Sequence, residues 1–84
     1  MTTRISRQDI RKSFQGKNID SDVRGKIGEY FNDSFSSGEV KDKLASELAN
    51  RTKLSRKRKY REMGLNEDER EEIENFLSNN DLDN

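Results

Sequence analysis

Cationic side chains are concentrated between residues 51 and 61, and their chemistry is that of phosphate binding. Seven of these eleven residues are Arg or Lys, and none is acidic. Clustered cations neutralise nucleic-acid phosphates and release their counterions, which gives affinity with little dependence on base sequence. An aromatic residue in the same segment could stack on an unpaired base. The candidate nucleic-acid-binding residues are Arg51, Lys53, Arg56, Lys57, Arg58, Lys59, Tyr60 and Arg61.

Three uses of this basic segment are open at the level of sequence. It can contact DNA or RNA, bind an acidic protein partner, or pair with carboxylates of its own chain or of a second copy in a homodimer. Residues 62–84 carry nine carboxylates and one cation, whereas residues 1–50 carry nine cations and eight carboxylates. A hairpin between the basic segment and the acidic helix that follows would place cations beside carboxylates: Arg56, Lys57 and Lys59 near Glu67, Glu71, Glu72 and Glu74.

Residue types needed for catalysis and for metal binding are scarce. The chain has no His and no Cys, which are the commonest general base, nucleophile and transition-metal ligand. Residues 20–25 resemble the start of a calcium-binding loop. However, Arg24 occupies a position that requires an oxygen ligand, and Phe31 stands where the bidentate Glu belongs. We therefore predict a non-enzymatic protein with no catalytic residues, no cofactor and no metal site.

The composition predicts one small soluble domain. The chain has 84 residues, of which 27% are hydrophobic and 40% are charged, and its formal net charge is zero. It begins without an apolar leader, and no apolar run is long enough to span a bilayer, so we expect no membrane association. We predict a cytoplasmic location. A nuclear location applies only in a eukaryotic host, where the basic segment would have the composition of a nuclear-localisation signal.

Capping residues and hydrophobic periodicity predict an all-α fold, a small bundle of four to five short helices in a single domain at residues 1–77. Ser6 is a candidate N-cap, and Ser36 with Glu39 forms a candidate capping box. Gly25 and Gly28 lie inside the predicted second helix, which indicates close approach of a neighbouring helix or a local irregularity. Residues 78–84 lack periodicity and are predicted to form a disordered acidic tail.

The basic segment has two possible relations to the helix before it. Asn50 could end that helix and Thr52 begin another, or one helix could run on to Met63. Because cations occur on all sides of the segment, we expect Leu54, Tyr60 and Met63 to anchor it. A helix-turn-helix with the segment after Arg51 as the reading helix is conceivable, although the intervening turn lacks the usual Gly.

The acidic helix, residues 66–77, begins with a second candidate capping box at Asn66 and Glu69, after a glycine stop at Gly64. Its apolar side chains share one face: Ile73, Phe76 and Leu77. These three residues either complete the core or form an amphipathic surface that binds a protein partner. We favour the core.

Together these features predict a small nucleic-acid-binding accessory or regulatory protein. The alternative is a protein-interaction module, an adaptor or inhibitor that binds through its charged and amphipathic helix faces. We expect reversal of Arg56, Lys57, Arg58 and Lys59 to Glu to abolish nucleic-acid binding without unfolding the core.

Overall fold

The computed structural model describes residues 4–78, and within this range the chain contains five α-helices and no β-strand. The prediction of an all-α bundle of four to five short helices is therefore confirmed. The helices are α1 (Arg7–Phe14), α2 (Ser21–Phe31), α3 (Ser37–Leu48), α4 (Lys53–Glu62) and α5 (Glu67–Ser78). Ser78, assigned to the predicted tail, closes α5, and the remainder of that tail lies outside the described residues.

Side-chain caps set the helix starts. The Ser36 hydroxyl accepts a hydrogen bond from the Glu39 backbone N–H at 3.3 Å, and the Glu39 carboxylate accepts one from the Ser36 N–H at 2.9 Å. Asn66 and Glu69 form the same reciprocal box at 2.9 and 2.8 Å. Both predicted capping boxes are confirmed. These bonds satisfy backbone donors that have no partner within the first helical turn.

Residues with positive φ terminate the helices. Asn32 adopts the left-handed conformation after α2, and the next backbone N–H, that of Asp33, donates to the Gly28 carbonyl at 2.9 Å. Gly64 ends α4 in the same way, with φ of 78° and a bond from the Leu65 N–H to the Tyr60 carbonyl. The predicted role of Gly64 as a helix stop is thereby confirmed.

The core is built around α3, which packs against α1, α2 and α4, while α1 also packs against α5. Every helix contributes buried apolar side chains to one cluster. The buried stripe of α3 consists of Val40, Leu44, Ala45 and Leu48. A backbone hydrogen bond of 2.7 Å from the Asn50 N–H to the Ile5 carbonyl fastens the segment before α1 to the end of α3.

Two expectations about local packing need correction. Gly28 is not approached by a neighbouring helix but by the chain just after α2, because a Cβ there would lie 2.7 Å from the Asp33 carbonyl oxygen. Leu54 does not anchor α4, since 62% of it is exposed. The anchoring side chains of that region are Arg56, Tyr60 and Met63, all buried. None of the helices described at residues 4–78 is long and apolar enough to cross a membrane.

Candidate nucleic-acid interface

The eight candidate binding residues divide between the two sides of α4. Arg56 and Tyr60 are fully buried, and Lys59 and Arg51 are partly buried. The exposed side contains Lys53, Leu54, Lys57, Arg58 and Arg61, which we call the basic face. The sequence left open whether the basic segment continues the preceding helix or begins a new one. The structure shows a new helix: α4 is capped by Thr52, and residues 49–52 connect it to α3.

Arg56 is held in the core by a carboxylate of α5. Its Nε and Nη2 donate to the two carboxylate oxygens of Glu74 at 2.9 and 3.0 Å, and its Nη1 donates to the Arg51 carbonyl at 3.3 Å. The Tyr60 hydroxyl donates to the same Glu74 carboxylate. Burial, reinforced by the negative charge of Glu74, raises the pKa of Tyr60 and keeps its hydroxyl protonated. Neither Arg56 nor Tyr60 is accessible to phosphate or to a base.

The Lys59 ammonium group already contacts neighbouring side chains. Its Nζ donates to the Tyr30 hydroxyl at 3.1 Å and lies 3.1 Å from a Glu62 oxygen and 3.4 Å from a Glu47 oxygen. The Tyr30 hydrogen bond and these carboxylates raise the pKa of Lys59, although burial opposes the shift. Lys59 therefore remains protonated, and its charge is balanced by the carboxylates of Glu47 and Glu62.

Arg51 stabilises the connection between α3 and α4 by hydrogen bonds to both helices. It donates from Nε to the Glu47 carbonyl and from Nη1 to the Ser55 hydroxyl at 3.0 Å. The contacts of Arg56 and Lys59 argue against the charge-reversal test expected from sequence. Reversing Arg56 would place a second carboxylate in the core beside that of Glu74, which is only 12% exposed, so loss of binding would report unfolding rather than loss of contact.

The cations of the basic face have no such partners in the part of the chain that the structure describes. Within residues 4–78, none of Lys53, Lys57, Arg58 and Arg61 forms an ion pair. Leu54 lies among them and is the most exposed large apolar side chain of the described residues. Leu54 is a predicted anchor because cations occur on all sides of the segment, and the burial of Arg56 and Tyr60 shows which side of α4 faces the core.

A groove of about 550 Å³ separates the basic face from α5. Lys53, Lys57 and Arg61 line one wall, and Glu67, Arg70 and Glu71 line the other. The helix-hairpin pairing considered from sequence therefore occurs in part. Arg56 reaches Glu74 across the base of the groove, whereas Lys57 forms no ion pair with an α5 carboxylate.

The connection from α3 to α4 has the geometry of a tight helix–helix turn. It consists of residues 49–52, with Asn50 in the left-handed region at φ of 59° and the Thr52 hydroxyl accepting from the Ser55 N–H at 3.1 Å. Asn is one of the few residues that adopt positive φ at low cost. Asn50 thus does what the missing glycine would do in a helix-turn-helix turn.

The residues of the alternative partner-binding surface lie mainly in the core. Ile73 is 2% exposed and Leu77 is fully buried. Phe76 is partly buried and packs edge-on against Phe14, with ring centroids 6.2 Å apart, and Lys17 lies over its outer side. This placement agrees with the favoured expectation that the apolar face of α5 completes the core.

The chain has no His and no Cys, so the possible metal ligands within residues 4–78 are mainly carboxylates. No group of three or more acidic residues among them is arranged to hold a metal ion. Comparison of the chain with models of protein families, with curated proteins and with solved structures found no match.

Proposed function

We propose that this protein is a non-enzymatic nucleic-acid-binding accessory or regulatory protein that contacts phosphates through the basic face of α4. The observation that carries the proposal is the contrast between the two sides of this helix. Its buried cation, Arg56, is matched by Glu74, whereas Lys53, Lys57, Arg58 and Arg61 are exposed and unpaired within the described residues. Mutual repulsion of these four cations disfavours their clustering, and an anionic ligand would relieve it.

The number of available cations limits the strength of binding. Each phosphate neutralised contributes about −0.9 to the slope of log affinity against log salt for duplex DNA. Four exposed cations therefore give a slope of about −3 to −4, which is less steep than the slope expected if all seven cations of the segment contacted phosphates. This slope distinguishes binding by the exposed face from binding by a rearranged or unfolded basic segment.

The binding test is fluorescence anisotropy with a labelled DNA duplex and a labelled single-stranded RNA across a salt series. We expect micromolar or tighter binding of at least one ligand at low salt. The variant Lys57→Glu/Arg58→Glu should weaken that binding at least tenfold, because it removes two phosphate contacts and adds repulsion. Both side chains are exposed and have no ion-pair partner among residues 4–78, so the variant should keep its helicity by circular dichroism.

A matched control is Lys12→Glu/Arg24→Glu, which changes the net charge equally through exposed residues of α1 and α2. We expect this control to weaken binding by less than threefold. Equal losses in the two variants would mean that net charge, rather than the basic face, determines affinity. Absence of binding at low salt by the wild-type protein would overturn the proposal and favour an acidic protein partner for this face.

The alternative proposal, an adaptor or inhibitor that binds a protein through Ile73, Phe76 and Leu77, has less to support it. Burial of Ile73 and Leu77 leaves Phe76 as the residue of this set that a partner could reach without unfolding α5. Retention of a protein partner after nuclease treatment, and its loss in Phe76→Ala with helicity preserved, would favour this alternative.

A further inference from the structure

The side chains of the basic face are arranged as an apolar centre with cations on both sides. At about 100° per residue, Lys53 and Lys57 lie to one side of Leu54 and Arg58 lies to the other. Arg61 follows Leu54 two turns further along. A surface that only neutralises phosphates needs no apolar side chain at its centre, and Leu54 is 62% exposed there.

The position of α4 in the fold provides a second, independent observation. The helix follows α3 after a four-residue connection, with positive φ at Asn50 and a Thr52 cap, and its inner side is fixed to the core by Arg56, Tyr60 and Met63. In helix-turn-helix proteins a helix connected in this way lies in the major groove, and residues near its N-terminus contact base edges. Leu54 lies in the first turn of α4.

We propose that α3 and α4 act as a helix-turn-helix unit that inserts α4 into the major groove of duplex DNA, with Leu54 against thymine C5-methyl groups. The inference rests on the proposed function and specifies its ligand. A helix about 10–12 Å across fits the major groove, which is about 12 Å wide. Cations on both sides of Leu54 would then face the two phosphate backbones, while Leu54 faces the base edges.

This arrangement predicts selectivity among nucleic acids. The thymine methyl group is the one apolar feature of the major-groove edge and is absent from uracil. The major groove of A-form RNA is deep and too narrow for side chains to read. The protein should therefore prefer duplex DNA to duplex RNA, and thymine-containing DNA to the same DNA containing uracil.

The test compares full-length protein binding to an alternating dA·dT duplex and to the corresponding dA·dU duplex. An alternating sequence presents a thymine methyl at every base pair, so the comparison does not require knowledge of a specific site. We expect the wild-type protein to bind the thymine duplex about threefold to fivefold more tightly, the effect of losing one methyl-sized apolar contact. Leu54→Ala should bind both duplexes equally, with the salt slope of the wild-type protein.

Thermal unfolding of Leu54→Ala provides the folding control, and little change is expected because the side chain is exposed. Equal wild-type affinity for the two DNA duplexes, or equal affinity for duplex RNA, would overturn the major-groove inference. If Lys57→Glu/Arg58→Glu still lost binding in that case, the phosphate-binding proposal would stand without it. Failure of the wild-type protein to bind any of these duplexes or single-stranded RNA would overturn both.

Discussion

The orientation of α4 depends on Arg56, whose guanidinium is buried. Its bidentate contact with Glu74 leaves no net charge in the core, and Tyr60 adds a further hydrogen bond to the same carboxylate. Such a pair contributes little relative to apolar packing, but loss of one member leaves the other as an uncompensated buried charge. The cation has become part of the core and is not available to a ligand.

Arg56→Ala should therefore destabilise the protein by about 3–5 kcal/mol, because Glu74 loses its charge partner. For a domain of this size that is a large part of the total free energy of unfolding. The triple variant Arg56→Met/Tyr60→Phe/Glu74→Leu removes the whole network and should recover most of the loss. Urea unfolding monitored by circular dichroism measures both effects. If the triple variant were as unstable as Arg56→Ala, the cost would lie in packing rather than in the unpaired carboxylate.

Glu69 links α2 to α5 and gives stability a specific pH dependence. Burial acts to raise its pKa, but hydrogen bonds from Lys26 at 2.7 Å and from the Asn66 N–H at 2.9 Å lower the pKa overall. A carboxyl whose pKa is lower in the folded state stabilises the fold above its unfolded pKa, and this contribution is lost as pH falls through the folded pKa. We expect Glu69→Gln to be less stable than the wild-type protein at pH 7.

The difference between the two proteins should shrink as pH falls from the ordinary pKa of a Glu side chain through the lower folded pKa of Glu69, because the wild-type carboxyl is then protonated. Urea unfolding at several pH values from 7 to 3 provides the measurement. Glu69→Ala should be less stable than Glu69→Gln at every pH, because Gln can still accept the capping hydrogen bond. A stability difference that stayed constant with pH would show that the charge of Glu69 contributes nothing.

At the scale of helices, the two glycines of α2 differ in the space available for a larger side chain. Gly25 is exposed and has open space where a Cβ would point, so Gly25→Ala should stabilise the protein by about 0.4–1 kcal/mol. At Gly28 a Cβ would lie 2.7 Å from the backbone oxygen of Asp33. Gly28→Ala should destabilise it by about 1–3 kcal/mol, because backbone atoms must shift. Thermal unfolding checks both signs, and stabilisation by Gly28→Ala would contradict the close approach.

The starts of α3 and α5 and the end of α4 could be predicted because the interactions that set them are local. Ser36 bonds to a residue three positions away, as does Asn66, and Gly64 supplies its own positive φ. The orientation of α4 could not be predicted in this way. Its cations occupy all sides, and the side that is buried is selected by Glu74, which lies eighteen residues beyond Arg56.

The candidate site could be found from the sequence only in part. The position of the cluster was evident, because seven cations in eleven residues need no structure to be recognised. The division into structural and available cations required the contacts of Glu47, Glu62 and Glu74. Leu54 gained a proposed function only when its exposure was known.

For the whole molecule, zero net charge conceals two opposed surfaces on either side of one groove. Glu67 and Glu71 face the wall formed by Lys57 and Arg61 without forming ion pairs with them. Charges on the two walls of the groove interact through solvent, where the screening length is about 8 Å at physiological salt. Under the proposed function, the carboxylates of α5 should therefore repel phosphates that approach the basic face and weaken their binding.

Replacing these carboxylates by neutral isosteres tests the effect directly. Glu67→Gln/Glu71→Gln should bind a DNA duplex several-fold more tightly than the wild-type protein at low salt, and the gain should fall as salt rises, because screening removes the repulsion. The control Asp22→Asn/Glu29→Gln changes net charge equally through exposed carboxylates of α2. A similar gain in both variants would assign the effect to net charge, whereas a gain confined to the α5 variant would show that the acidic helix limits access to α4.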